Sequence, residues 1–157
     1  MDESEYKEVY HSVNALRCIF EKAVLTGRYN CEKASRTNIA EREAIGCTDP
    51  EAQKQCLKLL DLFRENAAFS LKMTRISGKL PHAREIRIQC GGLNGLLETL
   101  PDNFTKRVNS KLDTVSIENI YGLVNTTTNE YRELDRLPFQ EIIKSITAYS
   151  GRRKKTS

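Results

Sequence analysis

The chain has no tryptophan, four prolines, eight glycines and two histidines among its 157 residues. So little proline and glycine argues against a many-turned β-sandwich or barrel. The two histidines, His11 and His82, lie far apart, and neither has a cysteine or a second histidine in zinc-ligand spacing. No apolar run approaches the ~20 residues of a membrane helix, so no membrane contact is expected. The N-terminal Met1-Asp2-Glu3-Ser4-Glu5 is acidic and polar, the reverse of a secretory signal. On that reading the two N-x-T sequons, at Asn103 and Asn125, are chance matches. No G-x-S-x-G, H-E-x-x-H or P-loop is present. The chain is therefore expected to be no enzyme and to hold neither cofactor nor metal.

Five cysteines, at positions 18, 31, 47, 56 and 90, make an odd set with no C-x-x-C pair. Cys18, Cys56 and Cys90 fall at or beside apolar helical positions. All five are read as reduced thiols of a cytoplasmic protein, with a disulfide or zinc framework as the alternative.

Periodicity supplies the rest. Asp2 and Glu5 stand as a capping pair. Tyr6, Val9, Tyr10, Val13, Leu16, Phe20, Ala23 and Val24 then recur at helical steps up to a stop at Gly27. Asn38 and Glu41 suggest a short helix through Ala40 and Ala44, ending at Gly46. Thr48-Asp49-Pro50-Glu51 is the clearest helix start, with Thr48 and Glu51 in capping-box spacing and Ala52, Cys56, Leu59, Leu60, Phe63, Ala67 and Leu71 on one face. That helix is expected to reach Ser77. Phe104, Val108 and Leu112 suggest a short helix, and Ser116 the start of another through Ile120, Val124 and Tyr131. A last helix carries Phe139, Ile142, Ile143, Ile146 and Tyr149. The expected fold is all-α: a compact bundle of six or seven helices in one domain, 1–151, with a flexible basic tail, 152–157.

Residues 82–99 admit two readings. Glu85-Ile86-Arg87-Ile88-Gln89-Cys90 alternates like a strand before Gly91-Gly92. Yet Ala83, Ile86, Cys90, Leu93, Leu97 and Leu100 follow alternating steps of three and four through both glycines, and the helix is preferred. A phosphate-binding turn at Gly91-Gly92-x-x-Gly95 is set aside, because no βαβ pattern surrounds it. At 100° per residue the seam faces inward, and Arg84, Arg87, Gly91 and Gly95 fall on or toward the opposite side. The Gly91-x-x-x-Gly95 spacing lets another backbone come close: a partner's, a sugar–phosphate chain, or a neighbouring helix of the same domain.

The charge distribution points to a partner. Four of the 25 lysines and arginines form the run Arg152-Arg153-Lys154-Lys155, and the other 21 balance the 21 acidic residues. Lys72, Arg75, Lys79, Arg84 and Arg87 face a single nearby acid, Glu85, and Lys106, Arg107 and Lys111 form a further cluster. These residues and the tail are the expected contacts to a nucleic-acid phosphate backbone, RNA or DNA. No aromatics interleave with them, so base stacking is not indicated. The expected function is a non-enzymatic subunit of a larger assembly that holds nucleic acid without reading sequence. The alternative is a protein–protein adaptor, or a homo-oligomer, using the Gly91/Gly95 face or the helix from Asp49.

One junction bears on catalysis. Arg75-Ile76-Ser77-Gly78-Lys79-Leu80-Pro81-His82 resembles the Arg/His pair of the small helical HEPN ribonucleases. The resemblance implies action by Arg75 and His82 on an RNA 2′-hydroxyl and phosphate. The spacing is longer than in that family, and Ile76 stands where a polar residue is customary.

Overall fold

The structure, a computed structural model, describes residues 2–68, 70, 71, 81–100, 107–109 and 114–150. It is mostly helical but not all-α. Six α-helices are described: α1 (Glu3–Val13), α2 (Glu21–Leu25), α3 (Pro50–Ala67), α4 (His82–Glu98), α5 (Ile120–Tyr131) and α6 (Phe139–Ala148). With them are two antiparallel hairpins, β1 (Ala34–Ile39) with β2 (Arg42–Cys47), and β3 (Arg107–Asn109) with β4 (Thr114–Ser116).

The larger hairpin overturns two expectations. Asn38 to Ala44 is not helical: Ala34 pairs with Cys47 and Ile39 with Arg42, around a turn in which Ala40 takes a φ of 56°. The first helix does not run to Gly27 but stops at Val13, because the next residues are drawn to the open edge of β2. The Asn14 amide nitrogen Nδ2 donates to the Ile45 carbonyl at 3.0 Å. The Cys18 N–H donates to the same carbonyl, and the Cys47 N–H to Leu16. Helix resumes at Glu21, whose carboxylate accepts from the Tyr10 hydroxyl at 2.8 Å and from the Ile45 N–H at 2.7 Å. One side chain thus ties α1, α2 and β2 together.

Helix α3 begins where the sequence indicates, but its cap is Asp49, which accepts from the N–H groups of Glu51 (3.0 Å) and Ala52 (3.4 Å). Thr48 instead donates to the Lys33 carbonyl. The helix ends at Ala67, short of Ser77; residues 72–80 lie outside the described residues. The helix expected around Val108 is corrected at 107–109, which form β3.

Helix α4 runs as expected and is the centre of the molecule. Leu93, Leu96 and Leu97 are fully buried with Phe20, Ile45, Leu59, Leu60, Phe63, Ile120, Leu123, Ile142 and Ile146. Each such side chain contributes about 1.5–3 kcal/mol by leaving water. Elements pack on α4 from several sides. Gly92 receives the ring of Phe63 from α3. The Gln89 carbonyl Oε1 accepts from the Ala23 N–H of α2 at 3.1 Å. Glu85, buried, takes Arg64 of α3 at 2.6 Å. Among the described residues no helix is long and apolar enough to cross a membrane.

Candidate functional site

The face of α4 that carries Gly91 and Gly95 is covered. A side chain on Gly91 would meet the Cα of Ile146 at 2.5 Å and the Ser145 carbonyl at 3.0 Å; one on Gly95 would meet the Cα of Ile142 at 2.9 Å. The two glycines therefore seat α6 against the α4 backbone, and the expectation of an outward close-approach face is corrected: the approaching backbone belongs to the same chain. Ala83, expected on the inward seam, is exposed, whereas Cys90, Leu93, Leu97 and Leu100 are buried.

This packing determines where the chain goes next. Gly91 faces Ile146 and Gly95 faces Ile142, so α6 runs antiparallel to α4. Its C-terminal end lies beside the N-terminal half of α4. There the Tyr149 hydroxyl lies near the Cys90 thiol, with the Arg28 guanidinium near both. The helix is capped at Tyr149, and the described chain ends at Ser150.

Arg84 and Arg87 are exposed on this half of α4. Between them in sequence, Glu85 points the other way, into the molecule, where Arg64 and the Gln89 amide occupy its carboxylate. The only acid near the two arginines in sequence is thus neutralised internally. On the same turn of α4, His82 is exposed, with its Nδ1 2.8 Å from the Lys22 ammonium. Arg107 lies in β3. Lys72, Arg75, Lys79, Lys106, Lys111, Arg152, Arg153, Lys154 and Lys155 lie outside the described residues.

Sequence reasoning missed a second grouping. Cys18, Cys31, Cys47 and Cys56 line one cavity of about 20 Å³ with Ile19, Phe20 and Ala52. Burial pushes the Cys18 thiol up to about 12, and raises those of Cys31 and Cys56. Neutral thiols of this kind are not the lowered, thiolate-like groups that nucleophilic catalysis uses. No local spacing could reveal the grouping, because the four residues come from four separate segments.

Compared with protein-family models, with curated proteins and with solved structures, the chain matches none.

Proposed function

We propose that the protein is a non-enzymatic, cytoplasmic subunit that holds nucleic-acid phosphate backbone without reading sequence, as part of a larger protein or ribonucleoprotein assembly. One observation carries this reading: the antiparallel seat of α6 on α4 ends the described chain beside the arginine-bearing half of α4. The run Arg152–Lys155 follows Ser150 closely in sequence, and Arg84 and Arg87 are exposed on that half of α4. Guanidinium groups suit phosphate oxygens through bidentate donation, and clustered cations gain affinity by releasing condensed counterions. Lys72, Arg75, Lys79, Lys106, Arg107 and Lys111 would extend the contact. The cytoplasmic setting accords with five free cysteines.

A gel-shift with generic RNA or duplex DNA tests the proposal. Wild-type protein should bind at low salt. Truncation after Gly151 combined with Arg84→Glu and Arg87→Glu should abolish the shift while leaving circular dichroism unchanged. Wild-type protein that ignores both nucleic acids at low salt would end the proposal.

The adaptor reading keeps one supporting observation. The solvent side of α3 carries Leu57, 42% exposed, beside Leu62, Lys54, Lys58, Asp61 and Glu65 in a shallow groove. Leu57→Glu should release a nuclease-resistant partner if this face is a docking surface, and should change nothing otherwise.

A further inference from the structure

Four of the five cysteines come together from four separate parts of the chain. Cys18 follows Arg17, which bridges to Gly46 on the edge of β2. Cys31 follows the segment 28–30, held to Ile117 by hydrogen bonds from both sides. Cys47 ends β2, opposite Ala34. Cys56 lies on the second turn of α3. All four line the same cavity of about 20 Å³, roughly the room of a single water molecule. Every pair among them is close enough to interact electrostatically. Cys90 stands apart, with Tyr29 and Tyr149.

The backbone around the sulfurs has a specific form. The backbone amides of Phe20 beside Cys18, and of Lys33 and Tyr121 beside Cys31, work against burial and favour the thiolate form. Two of these amides lie two residues after their cysteine. Amides beside a sulfur favour its thiolate, and outer-shell donors of this kind orient and tune metal ligands. They do little for a neutral thiol in an apolar core. Lys33, which also lines the cavity, places a cation at its edge. It is shared with Asp49 at 3.8 Å.

We propose that Cys18, Cys31, Cys47 and Cys56 form a structural site for a soft, tetrahedral divalent metal ion of the zinc class. The sulfurs now ring the cavity rather than meet in it: among the described residues no group of three or more His, Cys, Asp or Glu side chains is drawn tightly enough to hold an ion. Closure requires the thiols to turn inward to metal–sulfur distances of about 2.3 Å. Cys47 must also give up the hydrogen bond it donates to the Asp49 carbonyl at 3.2 Å. Four S–H bonds are lost, four protons pass to solvent and four metal–sulfur bonds form, leaving a centre of charge −2 that Lys33 and the amides offset. The ion would pin the hairpin, the segments at 18 and 31, and α3 to one another. This is the role of closed four-sulfur sites, which have no open position for chemistry.

The test uses the full chain, purified under reductant, stripped with chelator and titrated with Co²⁺ and then Zn²⁺. Binding should give the intense visible and near-ultraviolet sulfur-to-cobalt bands of a tetrahedral tetrathiolate, at one ion per chain, and Zn²⁺ should bleach them. Cys90→Ser should keep the full spectrum, while Cys31→Ser or Cys56→Ser should lose or weaken it. The wild-type titration stands even if a variant fails to fold. Absence of thiolate bands in folded wild-type protein, equal bands in the Cys31→Ser/Cys56→Ser double variant, or disulfides joining these four residues in protein that binds no Co²⁺ after reduction would overturn the proposal.

Discussion

The Cα of Ile146 lies 2.5 Å from where a side chain on Gly91 would begin. The obstacle is backbone, so no rotamer change relieves it. Gly91→Ala should gain up to about 1 kcal/mol of helix propensity and lose more through overpacking, which costs about 1–3 kcal/mol and rises when backbone must shift. The expected result is a lower urea midpoint, and Gly91→Leu should not fold. An unchanged or raised midpoint for Gly91→Ala would mean that α6 does not sit on α4 as described.

A chain of polar contacts crosses the core from α3 to α2. Arg64 reaches Glu85 at 2.6 Å, the Gln89 amide donates to Glu85 at 2.9 Å, and Gln89 accepts from the Ala23 N–H. The Glu85 side chain is 6% exposed and that of Arg64 27%. Arg64→Leu strands a buried carboxylate, and the expected loss is about 2–4 kcal/mol, at or below the usual range for a broken buried pair because Arg64 is partly solvated. Arg64→Leu with Glu85→Leu should recover part of it. A double-mutant cycle by denaturant unfolding measures the coupling, and a double variant no better than the Arg64→Leu single would contradict the assignment.

Three tyrosines hold their protons tightly. Burial is the largest cause in each case, and it pushes Tyr149 up to about 12 and raises Tyr10 and Tyr29 above their ordinary 10.0. For Tyr10, the carboxylate of Glu21 adds to the effect. A raised pKa means that the folded state keeps a proton the unfolded chain gives up. The stability this contributes is complete below the ordinary tyrosine value near 10 and is lost as pH rises through the folded values. The thermal midpoint should therefore fall as pH rises above about 10, and tyrosinate absorbance should lag in the folded protein. Full ionisation of all six tyrosines in folded protein at their ordinary value would contradict this.

The helices that proved legible are those whose apolar spacing and local caps agree. Asp2 caps α1, Pro50 opens α3, and α4 continues through its glycines because Leu93, Leu96 and Leu97 hold the period. The larger hairpin was hidden because Ala40, Glu41, Arg42, Glu43 and Ala44 are good helix formers and its turn carries no Asn-Gly or Asp-Gly signal; Ala40 takes the positive φ instead. The break after Val13 was hidden for a related reason. Leu16, Phe20, Ala23 and Val24 continue a helical period, and only the long-range bonds from Asn14 and Cys18 to Ile45 end it. At the site, the exposure of Arg84 and Arg87 followed from the helix angle. The burial of Gly91 and Gly95 did not, because a bare glycine face reads the same whether a partner or α6 fills it. The four-cysteine cavity depends on the hairpin and was out of reach with it.

The nucleic-acid reading is tested most directly by the salt dependence of duplex DNA binding in fluorescence anisotropy. If Arg84, Arg87 and the four cations of 152–155 each neutralise one phosphate, log K should fall against log salt with a slope of about −5, and of about −2 after truncation beyond Gly151. A slope unchanged by the truncation, or no measurable binding at low salt, would contradict the account.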